Sequence, residues 1–406
     1  MTTSDRMPPM GWRIGWRIAG APLALLLLTG TCTPATTQSD PPGDGTCEDC
    51  APAAGDSVCT SCRRWFRLIP PRIAAGGIIA VPKASYSRKS KIGLGAEILK
   101  PFCLPGAEGC SRLSDIIVRG RATFQGQISA EIETNLTWAD DRYSLKAKGH
   151  YSDTPHHYWG IGPDTPEENE EVYRPRNARA YIELFRRIYQ RLKIGMRYEY
   201  ESVKFLEMEP GGRLETQAFR GKVKSSVAGT GALLELDYRD RRYSPRLGVY
   251  YQAFGLFFDE EFGSDHDFNN YSVDLRHYYP LAGTHVLATQ LFLYAAKGRP
   301  PLWRYASLGG RAHSRGYPLN RYLSRVLVAF QGEYRMPVYW RLGAVFFGGL
   351  AAVAVRMDEI RLDAMRPTLG AGLRVGTGPQ DAINVSLDVA LGDLTPQLYL
   401  YIGDSF

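Results

Sequence analysis

Outside its N-terminus the chain contains no run of about 18 apolar residues, so no helix in it is long enough to span a bilayer. It also lacks a Gly-x-Ser-x-Gly elbow, a phosphate loop and a recognisable catalytic triad, and no enzymatic activity is expected. Basic residues form no cluster and no nucleic-acid motif occurs, so nucleic acid is not an expected partner. The net charge of +7 reads as ordinary balance, with a polyanion such as lipopolysaccharide as the lesser reading. These absences exclude a helical membrane protein. They leave open a β-barrel, whose lipid-facing residues alternate with polar ones and never build a continuous apolar run.

What the chain does have is glycine, tyrosine and a period of two. Gly accounts for 42 of the 406 residues and Tyr for 24, while the mean hydropathy is negative. From about residue 72 onward apolar and polar residues alternate. Ile128, Ala130, Ile132, Leu136 and Trp138 fall on one face, against Ser129, Glu131, Glu133, Asn135 and Thr137. Ile194, Met196, Tyr198 and Tyr200 oppose Gly195, Arg197, Glu199 and Glu201, and Val385 to Leu391 repeats the pattern around Ser386 and Asp388. A soluble sandwich would alternate too. Strand length and aromatic position favour the membrane: the runs suit strands tilted across about 25 to 30 Å of hydrocarbon, with Trp138, Tyr143, Tyr151, Tyr339 and Trp340 near their ends. The runs number sixteen, the first over residues 72–82 and the last over 396–404. Short connections alternate with long ones at 153–175, 204–223, 258–267 and 298–322. The expectation is an all-β, transmembrane antiparallel β-barrel over residues 71–406.

Residues 1–32 read as an export signal, with Arg6, Arg13 and Arg17 ahead of the apolar core Ala19 to Leu28. Residues 33–70 read as a periplasmic linker rich in cysteine, proline and glycine. Cys47 and Cys50, then Cys59 and Cys62, have the spacing of a zinc knuckle, but an oxidising compartment favours disulfides among them. Cys103 and Cys110 bracket a Leu-Pro-Gly turn that a disulfide would staple. Disulfide and zinc both stay open for the linker, and Cys32 is left over as a candidate for removal or lipidation.

The stretch Ser307 to Tyr317, SLGGRAHSRGY, is followed by a strand carrying Glu333-Tyr334-Arg335 and by a chain end of Tyr-Ile-Gly-Asp-Ser-Phe406. This combination resembles the C-terminal half of the BamA/TamA family of outer-membrane barrels, in the bacterial surface antigen superfamily. Trp159-Gly160-Ile161-Gly162-Pro163 is similar to a loop of family members that lack large N-terminal domains, and the linker is too short for even one POTRA domain. The resemblance implies that the tip Arg315-Gly316-Tyr317 folds back into the lumen, and that Arg315 pairs with acids on the two strands that follow. Glu333, facing inward by alternation with Gln331 and Arg335, is the first partner. The second would be an Asp in Phe-x-Asp-x-Gly. This chain has Phe346-Phe347-Gly348-Gly349 there, so Glu333 alone is expected to hold the arginine, or the loop to be loosely locked. The resemblance also implies that Gly403 and Phe406 belong to a C-terminal insertion signal.

His156 and His157 lie near several loop acids, but a solvated loop is the better reading, and neither metal nor cofactor is expected. The resemblance implies insertion or translocation of a protein or lipid client at the bacterial outer membrane, through a weak seam between first and last strands. Outer-membrane lipids, and the barrel-assembly machinery during biogenesis, are the other implied partners. A passive or gated pore and a structural or surface-binding barrel are the alternatives.

Overall fold

The computed structural model describes residues 77–87, 91–102, 104, 114–217, 219–222, 224–377, 383–392 and 396–406. The export signal, the linker and all seven cysteines, with their expected disulfides, lie outside these residues. The first half of the wall is β1 (Ile79–Ser87), β2 (Lys91–Phe102), β3 (Ser114–Thr123), β4 (Ile128–Trp138), β5 (Tyr143–Asp153), β6 (Glu171–Tyr189), β7 (Leu192–Glu207) and β8 (Lys224–Asp237). The second half is β9 (Gly248–Phe258), β10 (Phe268–Pro280), β11 (Val286–Gly298), β12 (Val326–Tyr339), β13 (Leu342–Ala354), β14 (Arg366–Thr377), β15 (Ile383–Leu391) and β16 (Gln397–Ile402). Each strand pairs antiparallel with the next, giving a nearly closed barrel of sixteen strands. A short strand, His156–Tyr158, adds to the outer end of β6.

Burial is inverted relative to a soluble protein. Along β7, Ile194, Met196, Tyr198 and Tyr200 are exposed, while Lys193, Glu199 and Glu201 on the opposite face are buried. The same inversion places Leu369, Leu373 and Val375 outside on β14 with Arg374 inside. Such a wall is stable only where the outer face meets hydrocarbon and the polar face meets a hydrated or mutually paired interior. Tyr189, Tyr339 and Trp340 stand exposed at the end of the barrel that carries the two-residue turns. The opposite end carries the long loops.

Several boundaries differ from the expected ones, and at three of them the backbone gives a reason. The first strand starts at Ile79 rather than 72, after Gly77, whose φ of +72° breaks extended pairing. β6 begins at Glu171 and runs through Pro175, which has no N–H for the ladder, so the register slips between Arg174 and Pro175. The last strand ends at Ile402, because Gly403 adopts φ +85° and turns the remaining residues off the wall.

Candidate functional site

The long connection between β11 and β12 is a folded plug. Its stem is a small hairpin of Ala306–Leu308 against Tyr322–Ser324, tied by Ser307, whose Oγ donates to Asn320 Oδ1 at 2.9 Å. Leu308, Tyr317 and Tyr322 bury their apolar faces against Leu327, Ala329 and Val353 of the wall. Beyond the stem the tip closes on itself, with the Gly309 N–H donating to Ser314 Oγ at 2.6 Å and the Gly310 N–H to the Tyr317 carbonyl at 3.0 Å. Gly316 has φ +108° and presses on the end of β15: a Cβ there would lie 2.5 Å from the Leu391 carbonyl carbon. Tyr317 donates through its hydroxyl to the Pro367 carbonyl at 3.1 Å.

This folding carries Arg315 into the lumen, where it is 1% exposed. Its guanidinium stands 2.6 Å from Glu333 Oε1 and 2.8 Å from Asp388 Oδ2, and it lies 3.6 Å over the centre of the Phe347 ring. It also donates to Gln331 Oε1 at 3.4 Å, and Gln331 in turn donates to the Ala312 carbonyl. Two carboxylates and an aromatic face offset the cost of stripping water from a guanidinium. The second acid is therefore present. It comes from Asp388 on β15 instead of β13, where Phe347 supplies the ring that the cation covers.

Each of these charges has a further partner, and the partners form a closed circuit. Glu333 pairs with Arg335 at 2.9 Å, Arg335 with Asp404 at 3.0 Å, and Asp404 with Arg374 at 3.1 Å. Arg374 pairs with Asp388, which returns to Arg315. Three guanidiniums thus alternate with three carboxylates, and Tyr401 donates its hydroxyl to Asp388 at 2.6 Å. Asp388 and the Phe347 ring were not singled out from the sequence as partners of Arg315, nor Arg374 and Asp404 as members of its circuit. The inward alternation of β14 and β15 offered the only signal for two of them.

Asp404 reaches this circuit because the chain end is folded inward. The Gly403 N–H donates to the Asn384 carbonyl at 2.7 Å and the Asp404 N–H to the Tyr243 carbonyl at 2.9 Å. Phe406 is 4% exposed, set against Tyr278 and Ala288, and its main-chain oxygen accepts from Arg335 at 3.1 Å. The Ser405 hydroxyl donates to the Arg311 carbonyl of the plug at 3.3 Å. The residues expected to form an insertion signal thus sit in the lumen at the end with the short turns.

At the other end the loop after β5 clasps the plug. The Gly162 N–H donates to the Leu323 carbonyl at 2.7 Å, and Arg321 donates to the Thr165 carbonyl at 3.0 Å. Tyr158, Tyr173, Phe205 and Leu302 pack together there as an apolar cap. His157 lies 2.5 Å from Glu170 in this loop.

The wall has one weak line. Among the described residues no ladder joins β1 to β16, although the two strands lie side by side. Ile79 and Val81 share an apolar cluster with Ile383, Val385 and Ile402, which closes the seam near the short-turn end. Farther along, a cavity of about 540 Å³ is lined by four successive residues of the last strand, Leu398 to Tyr401. By alternation Tyr399 and Tyr401 turn into the barrel and Leu398 and Leu400 turn out, so the strand that bounds this cavity is also an edge with no ladder to β1 among the described residues.

A family profile described as the Omp85 superfamily domain matches residues 118–406. The chain belongs to the Omp85 superfamily. It is an outer-membrane barrel of the insertion or translocation kind. Among solved structures this Omp85 barrel is similar to CdiB from Escherichia coli, with a TM-score of 0.50, 11% identity, and coverage of 80% of this chain and 61% of that one. BamA from Haemophilus ducreyi lacking POTRA domains 1-3 matches at 0.49 and 14% identity, over 80% of this chain and 68% of that one. CdiB from Acinetobacter baumannii matches at 0.49 and 13%, over 79% and 56%. The chain thus spans less than two thirds of either CdiB, and likeness at such identity concerns the fold alone. No curated protein matches it.

Proposed function

We propose that this chain works in the bacterial outer membrane by parting the seam between β1 and β16 for a protein or lipid client, while the plug keeps the lumen sealed. The carrying observation is the edge of β16, which has no ladder to β1 among the described residues and bounds a lumen cavity. An edge with unpaired N–H and C=O groups is a template for an incoming strand and a route for an amphiphile. A wall zipped all round would offer neither. A plain pore fits less well, because Arg315 and the chain end occupy the lumen with their charges paired.

The test is to lock the seam. Cysteines in place of Ile79 and Ile402, in a chain whose native cysteines are changed to serine, should cross-link on oxidation, since both side chains belong to one apolar cluster. The oxidised barrel should stay folded and lose client insertion into vesicles, and reduction should restore it. Equal activity in both states would overturn the seam reading.

A further inference from the structure

We infer that the lateral cavity at β16 is a binding site for the phosphate headgroup of a phospholipid, whose acyl chains remain outside along Leu398 and Leu400. This assignment rests on the seam reading above and adds the ligand class to it.

The charges in the cavity set the chemistry. Four cations and three carboxylates line it among the described residues. The carboxylates are already engaged: Arg119 pairs with Glu97 at 2.8 Å and with Glu133 at 3.2 Å, and Lys148 pairs with Glu131 at 2.9 Å. Arg121 and Arg311 face the same space with no ion-pair partner among the described residues. Arg311 is steadied by the Tyr401 ring, 4.4 Å from its guanidinium carbon, and its own carbonyl is held by Ser405. Two guanidiniums without anions, beside acids that are already satisfied, make a receptor for an oxyanion, and guanidinium matches the paired oxygens of a phosphate.

The shape of the cavity selects the source of that phosphate. A soluble anion needs only the polar part. Here the strand that bounds the cavity has no ladder to β1 among the described residues, and its other face carries Leu398 and Leu400, which are 68% and 39% exposed on the lipid side. An amphiphile uses both parts at once: its head meets the arginines and its chains never leave hydrocarbon.

The full chain would be placed in phosphatidylcholine nanodiscs doped with phosphatidylglycerol carrying a photoreactive group on its head. A phosphate-free diacylglycerol with the same photoreactive group serves as the comparison probe, and adducts are located by mass spectrometry. Phosphatidylglycerol should label peptides containing Arg121 and Tyr399, and diacylglycerol should not. Arg121→Gln with Arg311→Gln should cut this labelling about tenfold, on the scale of one lost charge-assisted hydrogen bond, with heat-modifiable migration unchanged. Should that variant fail to fold, the comparison of the two probes on the native chain decides. Equal labelling by both probes would overturn the site, as would undiminished labelling of a folded double variant. Labelling abolished by millimolar glycerol phosphate would overturn the lipid assignment. Absent labelling in a barrel whose seam lock still abolishes insertion would sink the headgroup site and leave the seam reading intact.

Discussion

Arg315 touches two carboxylates and a ring, so its variants should separate charge from shape. Arg315→Ala leaves Glu333 and Asp388 each short of a partner, and breaking a buried pair from one side costs about 3 to 5 kcal/mol, less where lumen water reaches. Arg315→Lys keeps the charge but cannot span both acids while lying flat on Phe347, and should fall between alanine and the native chain. In unfolding of detergent-solubilised barrel, the double variant of Arg315→Ala and Glu333→Ala should cost less than the sum of the singles. Strict additivity would show that the pair carries no coupling. Asp388→Asn should cost at least as much as Glu333→Gln, because Asp388 also accepts from Tyr401.

His156 gives a pH dependence of known sign. Burial, then His157, His150 and Arg121 nearby, push its pKa down to about 4, against an ordinary value of about 6.5. The unfolded loop therefore binds more protons between those values, so the contribution is complete above about pH 6.5 and is lost as the pH falls towards 4. Proteolysis of loop 154–170 should accelerate over that window, and His156→Gln should flatten the profile. An unchanged profile in that variant would remove His156 from the account.

At the scale of elements, the plug and the chain end depend on two glycines. Gly316→Ala would drive a Cβ into the β15 backbone at Leu391 and Gly392, so it should unseat the tip about as much as Arg315→Ala does. If the tip seals the lumen, both variants should raise ion conductance in planar bilayers. A native barrel that conducts freely and is indifferent to both changes would favour the pore. Gly403→Ala places alanine at φ +85°, a left-handed conformation costing about 1 to 2 kcal/mol. Deleting Phe406 would empty its place beside Tyr278 and Ala288. Both changes should lower the yield of heat-modifiable barrel. A full yield from the Phe406 deletion would deny the chain end any part in folding.

For the molecule as a whole, the wall was legible because its code is local. Period-two alternation, strand length and loop length are read along the chain, and they give sixteen strands and the inward face of Glu333. The site was less legible because its contacts run across the barrel. Asp388 could be placed on a polar face, but only curvature of the wall brings it to Arg315 from β15. The family pattern, read on Phe346 to Gly349, pointed to a missing acid when β15, two strands further on, supplied it. Gly403 stands in an apparently continuous strand, and nothing local distinguishes a glycine that extends from one that turns.

The circuit of six charges also has an electrical consequence. While it is complete, cations and anions balance. If the plug withdraws, Arg315 leaves with it, and two guanidiniums remain among three carboxylates. The vacated site then carries one uncompensated negative charge that recedes only when a cation arrives. The loop's own arginine is tethered and always at hand, so the emptied site attracts the very side chain that left it.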